Sequence, residues 1–540
     1  MTNKDIAGLF HEFASLMELH EENPFKIRSY ENAYLALRKL DQPLLDQDRE
    51  AWMQIKGIGS AVLDKLEEIK NTGSFASLDE FRNKTPEGIR QMLRIKGLGP
   101  KKIKSIWNEL QVESPGELLY ACYENRLLAL KGFGEKLQQD IIQSIEYFNS
   151  QQNLFLFAQL ELEGKAILSS LQALNPDARF EFTGALRKAS PTHSNIELLT
   201  NAKKVKVPET LILKDGIYIW NDRFPVQIYE TEDLNWAQDQ LRLTGGSDCF
   251  VNTIYSVLKN ANAKTEAALF ESSKIQFIPP ECRDLETFAS FDEQALISDK
   301  DIKGVIHNHS NYSDGIYSIE KMAEECIRLG YSYFVISDHS KSAFYANGLQ
   351  IDRLSNQWKE IDQLNKKLAP FKIYKSIESD ILSDGSLDYP DETLKQFDLV
   401  IASVHSNLKM DEDKAMIRII KAIENPFTRI LGHPTGRLLL SRKGYPLRYK
   451  ELIDACIANE VVMELNANPL RLDMDWTWIP YAMEKGLKIA INPDAHNLKG
   501  IQDIRYGVLC ARKGGLTKNN CLNTLSISEF DLWIQSKNRF

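Results

Sequence analysis

The sequence predicts a multidomain protein, all-α at its start and a distorted parallel β/α barrel at its end. Three observations carry that reading. The chain has 540 residues, too many for one hydrophobic core, which suggests three or four domains. Residues 1 to about 150 keep helical spacing, first in Ile6, Leu9, Phe10, Phe13 and Met17, then in Tyr34, Leu35, Leu37 and Leu40. From Val305 onward seven short apolar runs alternate with helical stripes such as Ile319, Met322, Ala323, Cys326, Ile327 and Leu354, Trp358, Ile361, Leu364. That alternation is the pattern of parallel strands joined by helical crossovers.

Bulk composition narrows the class. With 43% hydrophobic and 26% charged residues this is an ordinary globular composition. The start, Met-Thr-Asn-Lys-Asp-Ile, lacks a basic stretch followed by an apolar run, and no apolar segment approaches 18 residues. Neither a signal peptide nor a membrane span is expected. Seven Cys without a Cys-x-x-Cys pair fit reduced thiols and a cytoplasmic protein. The net charge of -9 argues against a wholly basic surface, yet Arg82 to Trp107 holds eight basic residues against Glu87 alone. Such a local patch suits a polyanionic partner.

Within the helical region one motif occurs three times: Ile55-Lys56-Gly57-Ile58-Gly59, Ile95-Lys96-Gly97-Leu98-Gly99 and Leu130-Lys131-Gly132-Phe133-Gly134. An amphipathic helix follows each copy. The glycines permit a tight turn and a close backbone approach, and free N–H groups at a helix start attract anions. A nucleic-acid phosphate, read without regard to base, is the natural occupant. A helical hairpin can need glycine for steric reasons alone, but three copies, one beside Lys101 and Lys102, point to helix-hairpin-helix DNA binding.

In the C-terminal region the apolar runs end in metal-binding residue types. Gly304-Val305-Ile306 leads to His307 and His309, with Asp314 beyond. Later runs lead to Asp338 and His339, to Glu378, to His405, to His433, and to Asp494 and His496. Residues i and i+2 of an extended segment share a face, so His307 and His309 can address one ion. Six of the chain's nine His lie at these strand ends. One buried His held by a backbone hydrogen bond would be unremarkable; six in this pattern predict a multi-metal hydrolytic site.

Asn23-Pro24-Phe25-Lys26-Ile27-Arg28-Ser29-Tyr30, the hairpins, Ile278-Pro279-Pro280-Glu281 and the histidine motifs together resemble the bacterial family-X DNA polymerases. The resemblance implies a helical lyase-type domain (1–80), a helix-hairpin-helix domain (81–150), an α+β nucleotidyltransferase palm (151–238) and a thumb (239–286). A polar linker (287–300) and a C-terminal polymerase-and-histidinol-phosphatase, or PHP, domain (301–540) would follow. It also implies nine ligands for up to three metals: His307, His309, Asp314, His339, Glu378, His405, His433, Asp494 and His496. Val305 stands where that family usually has Asp, and Asp338 becomes a group that holds an imidazole tautomer. Lys65 matches the family's Schiff-base lysine, although an exposed helix lysine beside Glu67 and Glu68 is the plainer reading.

The expected palm departs from the family. Glu181 to Lys188 resembles the family's strand-turn-helix entry, and Thr244-Gly245-Gly246-Ser247 its thumb entry. The three catalytic carboxylate positions then fall on Asn195, Glu197 and Gln227. Two-metal nucleotidyl transfer needs clustered anionic oxygens, and Asn and Gln offer neutral carbonyls. The expectation is a weakened or lost polymerase, unless a shifted register brings Asp222 or Glu230 into place.

The resemblance implies 3′–5′ exonuclease and 3′-phosphatase activity in DNA repair. The mixed N and O ligands favour Mn, Zn or Fe over a purely hard-ion site, and of these Mn or Zn is expected, with Mg in the palm only if the palm is active. The expected partner is gapped DNA or DNA with 3′ ends, and the expected state a monomer. Lys341 and Arg437 are candidate phosphate contacts. A gap-filling polymerase with PHP proofreading, a small-molecule PHP phosphatase and a non-catalytic DNA scaffold are the alternatives.

Overall fold

The computed structural model describes residues 1–40, 42–95, 97–150, 154–289 and 291–537. These form two compact units, Met1–Phe148 and Asn149–Phe540. Among the described residues no helix is long and apolar enough to cross a membrane.

The first unit is helical throughout. Helix α1 (Asn3–Leu19) starts at a capping box between Thr2 and Asp5 and buries Ile6, Phe10, Phe13 and Met17, the three- and four-residue spacing of one helical face. The three hairpin motifs adopt one geometry. In each, the first glycine has a left-handed φ (Gly57 +101°, Gly97 +92°, Gly132 +88°) that a side chain would strain. The helices α2 (Ser60–Thr72), α3 (Pro100–Leu110) and α4 (Glu135–Ser150) follow directly. Gly59 and Gly99 cap α2 and α3 without any side-chain hydrogen bond, and α3 opens with Pro100, which has no N–H to satisfy. Lys96 of the second hairpin lies outside the described residues.

The second unit begins with a five-stranded sheet: β1 (Phe180–Phe182), β2 (Ile196–Thr200), β3 (Leu211–Lys214), β4 (Ile217–Trp220) and β5 (Phe224–Glu230). Its order is β1-β2-β5-β4-β3, with β2 and β5 parallel and the other neighbours antiparallel. Helix α5 (Phe157–Leu174) covers one face through Leu160, Ile167 and Leu171.

Seven parallel strands follow: β6 (Gly304–Val305), β7 (Tyr333–Ile336), β8 (Lys372–Asp380), β9 (Leu399–Ser403), β10 (Thr428–Leu431), β11 (Val462–Asn466) and β12 (Ile489–Asn492). They lie in sequence order as a nearly closed barrel, and each coincides with one of the expected apolar runs. Tyr333, Val335, Tyr374, Ile401 and Ile430 fill its interior, with Phe530 stacked on Tyr333. Buried Asn523 spans the gap between the first and last strands. Its amide donates to Gly304 O (3.1 Å) and Ile491 O (2.8 Å), and its carbonyl accepts from Ile491 N (2.7 Å).

The stretch 287–300, expected to be a linker, is not a free tether. Phe288 and Phe291 pack on the 241–285 core, Ile297 is buried, and Ile297 N donates to Leu516 O (2.9 Å). Polar composition concealed these anchors because only a few apolar residues make them. Helix α6 (Ile504–Lys513) ties the barrel to the preceding sheet: Tyr506 packs on that sheet's core, Arg505 pairs with Glu161 (2.5 Å) and Arg512 with Glu281 (2.7 Å).

Candidate metal centre

All nine expected ligands gather at the C-terminal ends of the barrel strands, with no side chain more than 5% exposed. Parallel strands turn their ends to one face of a barrel, so residues distant in sequence meet there. Glu378, near the end of β8, is the hub. Its Oε1 lies 3.2 Å from His307 Nε2, 3.1 Å from His405 Nε2 and 3.0 Å from His433 Nε2. Its Oε2 lies 2.9 Å from His339 Nδ1 and 3.7 Å from His309 Nε2. Asp314 Oδ1 and Oδ2 face His496 Nε2 and His339 Nε2, each at 3.4 Å. Asp494 Oδ1 accepts from His309 Nε2 at 3.0 Å.

Three overlapping groups have donor atoms close enough to share an ion: His309, Asp314, His339 and His496; His307, His309 and Glu378; and His339, Glu378 and His405. The fit to cations is independently visible in the polar atoms. His307 Nε2, both His339 ring nitrogens and Glu378 Oε2 are buried without hydrogen-bond alignment, although opposite charges surround them. Buried polar atoms rarely lack partners, and divalent ions would satisfy these. The backbone is strained too, since His307 and Asp494 sit at φ +62° and +53°. Such conformations persist at functional sites when the surroundings over-determine them.

Electrostatics follow from the enclosure. Burial would raise Asp314, Glu378 and Asp494, but the adjacent imidazoles overcome it and hold all three well below the usual carboxylate range. Burial opposes charging His307 and His339. Glu464 and Glu378 around the first, and Asp314 and Glu378 around the second, reverse that and raise both. His309, with His496 and His339 for neighbours, is pushed down by burial to about 3.

The roles of two supporting carboxylates were missed in the sequence. Glu464 on β11 accepts from His307 Nδ1 (2.7 Å) and from the backbone N–H of His433 (3.0 Å). Asp380, two residues after Glu378, accepts from His405 Nδ1 at 2.5 Å. Each fixes an imidazole so that Nε2 faces Glu378, the usual support for a metal-binding histidine.

Two expected roles need correction. Asp338 holds no imidazole; its carboxylate accepts from Ser310 N and Oγ (2.7 Å each), Ser313 Oγ (2.5 Å) and Gln357 Nε2 (2.7 Å). It clamps the loop between His309 and Asp314, and burial pushes its carboxyl up to about 6. Arg437 is engaged internally by Asp475 and the carbonyls of Arg471 and Leu472, so its donors do not face the centre. Lys341 stays half-buried with Nζ 5.8 Å from the Tyr389 ring centroid, and Val305 lies in the apolar core.

In the sheet preceding the barrel, Glu197 and Gln227 are side-by-side register partners on parallel β2 and β5, and Asn195 lies two residues before Glu197. The Glu197 carboxylate folds back on the Gly184 turn, accepting from Ala185 N (3.2 Å) and Tyr229 OH (3.3 Å). A Cβ on Gly184, whose φ is +60°, would lie 1.7 Å from Glu197 Oε2. Asp222 pairs with Lys214 at 3.0 Å, and Glu230 lies three residues from Gln227, on the opposite strand face. Among the described residues, no metal-competent group of three or more includes a residue of this sheet.

In the first unit, Gly57, Gly59, Gly97, Gly99, Gly132 and Gly134 are exposed at the hairpin tips, with Lys101 exposed and Lys102 half-buried at the start of α3. Lys65 differs from the plainer reading. It is half-buried on α2, with Nζ 5.9, 5.7 and 5.5 Å from the ring centroids of Phe13, Tyr30 and Phe75.

Comparison with known proteins gives consistent matches. A helix-hairpin-helix domain family matches residues 1–75, a SAM-like helix-hairpin-helix tandem matches 89–146, and the PHP domain matches 306–468. The DNA polymerase/3′-5′ exonuclease PolX of Bacillus subtilis (strain 168) is 33% identical over 99% of this chain and 100% of its own length. A probable phosphatase of Thermoanaerobacter sp. (strain X514) is 26% identical over 43% of this chain and 94% of its own. Another, from Caldanaerobacter subterraneus subsp. tengcongensis, is 24% identical over 43% and 91%. The full-length match, the tandem hairpins and the histidine-rich barrel lead to one conclusion: the chain belongs to the PolX family, the bacterial family-X DNA polymerase/3′–5′ exonucleases with a C-terminal PHP domain.

Proposed function

We propose that this protein processes DNA 3′ ends as a metal-dependent phosphoesterase, with 3′–5′ exonuclease and 3′-phosphatase activity, and that its nucleotidyl transfer is weakened or lost. The observation that carries the reading is the convergence of five histidines on Glu378, with Asp314, Asp494 and His496 completing the cluster around them. Asp314, His339, His496 and their neighbours would hold up to three divalent ions, with Mn or Zn suited to the mixed N and O donors. Bound ions would supply an activated water and neutralise the phosphate's non-bridging oxygens. Glu378 would help to hold the ions, while Glu464 and Asp380 keep His307 and His405 in the metal-binding tautomer.

The weakened palm rests on Asn195 and Gln227, which are neutral, and on Glu197, which is turned into the Gly184 turn. In this reading 1–80 is the lyase-type domain with Lys65 over its aromatic basin, and 81–150 the second hairpin module. Residues 151–238 and 239–286 form palm and thumb, and 301–540 the phosphoesterase. The substrate is gapped or 3′-ended DNA, gripped at the hairpins without regard to sequence, by a monomer. A second reading, a gap-filling polymerase with proofreading, draws on the name of the Bacillus subtilis relative.

A 5′-labelled primer on gapped DNA, given all dNTPs and Mn²⁺, separates the readings. Shortening that disappears in a His307→Ala/His309→Ala variant supports the end-processing reading. Lengthening would place the polymerase first, and an unchanged primer would sink both.

A further inference from the structure

The loop that follows His339 presents an aromatic ring to solvent. Phe344 is 84% exposed, unlike any other Phe or Tyr of the barrel domain among the described residues. A single exposed apolar side chain means little by itself; this one sits on a rigid mount. Ser340 N donates to Glu378 O (3.0 Å), Leu349 N to His339 O (2.8 Å) and Gly348 N to Ala343 O (3.0 Å). The loop is drawn so tight that a Cβ at Gly348 would lie 2.0 Å from Ser340 O. The Tyr345 ring meets the His339 imidazole edge-on at 6.3 Å. The mount is therefore fixed to two of the ligands.

Two cations belong to the same loop and to the helix that follows it, Lys341 before Phe344 and Arg353 after it. Lys341 and Arg353 have no carboxylate partner among the described residues. Arg353 donates to Asn347 O (3.0 Å) and to Tyr312 O, joining the Phe344 loop to the loop that bears His309 and Asp314. Beneath it opens a polar cavity of about 360 Å³, lined in part by Tyr312 and Arg353. An exposed aromatic face beside unpaired cations is the recognition chemistry of single-stranded nucleic acid, where bases stack and phosphates meet positive charge.

We infer that Phe344 is the stacking platform for a base at the 3′ end of a DNA strand, and that Lys341 and Arg353 hold the adjoining sugar-phosphate. Phe344 is a substrate-positioning residue; it touches no reacting atom. The inference rests on the end-processing reading proposed above and names how that site receives its substrate.

The test compares wild type with Phe344→Ala and Phe344→Trp on two substrates in Mn²⁺, a single-stranded oligonucleotide and p-nitrophenyl phosphate. Loss of one base stack predicts a rise in the oligonucleotide KM of about 5- to 100-fold in the Ala variant. That rise should exceed any change in KM for p-nitrophenyl phosphate at least fivefold, and Trp should restore it. Equal losses on both substrates, or an oligonucleotide KM within twofold of wild type, would overturn the platform. A second readout needs no activity: an oligonucleotide ending in 5-iodouracil, irradiated in EDTA, should crosslink to Phe344. Crosslinking by a wild type that hydrolyses neither substrate would overturn the end-processing reading and leave the platform standing; absence of the crosslink overturns the platform.

Discussion

His307 Nδ1 stands 2.7 Å from Glu464 Oε2, with both side chains wholly buried. This pair makes the imidazole a better donor on its other nitrogen and fixes where that nitrogen points. Glu464→Gln keeps the volume and removes the anion. Metal affinity should fall about 10- to 100-fold, read by titration against a competing chelator, with circular dichroism unchanged. Unaltered affinity would mean that Glu464 does not tune the centre.

Metal uptake should release protons. His307 and His339 are held charged by Glu464, Asp314 and Glu378 against the cost of burial, whereas a metal needs the neutral ring. Their raised values favour the protonated form to higher pH than usual, so apparent affinity should climb as pH rises. Calorimetry in buffers of differing ionisation enthalpy measures the protons directly; a heat independent of buffer would contradict the scheme.

Primer extension addresses the palm. Wild type should extend the primer weakly or not at all in Mg²⁺ or Mn²⁺. The triple change Asn195→Asp, Glu197→Asp and Gln227→Asp should give measurable extension, because it restores anionic oxygens at 195 and 227 and shortens the carboxylate at 197. Efficient extension by wild type would refute the weakened palm.

Glu266 is buried between Arg283 (2.8 Å), itself wholly inaccessible, and Arg187 (2.6 Å). Glu266→Gln leaves buried cations unpaired and should destabilise the second unit by about 3–5 kcal/mol. Burial would raise the Glu266 carboxyl, but the two guanidinium groups prevail and lower it. A depressed folded value means stability that is full above the unfolded pKa, near 4.3, and lost as pH falls through the folded one. Urea melts from pH 6 to 3 should therefore converge for wild type and variant at the acid end. A constant gap would exclude that linkage.

The barrel and the cluster at its strand ends were legible because each strand run announces its end with a His, Asp or Glu, and parallel topology collects those ends. Glu464 was visible as the end of the Val461–Leu465 run, but its role was not, because a strand buried on both sides gives no sign of which imidazole its carboxylate meets. Asp380 escaped because it follows Glu378 on the same face, and pattern reading stops at the first metal-competent residue. Arg437 looked available because sequence cannot show that the 471–475 segment returns to enclose it. Glu197 was recognisable as a departure in length, one methylene longer than Asp, but its fold-back on Gly184 depends on a turn conformation that composition does not specify.

Asn523 has a consequence for the birth of the molecule. The side chain that sutures the first and last barrel strands lies beyond all seven of them in sequence, since the last strand ends at Asn492. On the ribosome the hairpin modules emerge first and can fold as a unit, while a chain that already holds every barrel strand still lacks the group that joins Gly304 to Ile491. Barrel closure is thus set by the arrival of one asparagine, not by completion of the sheet.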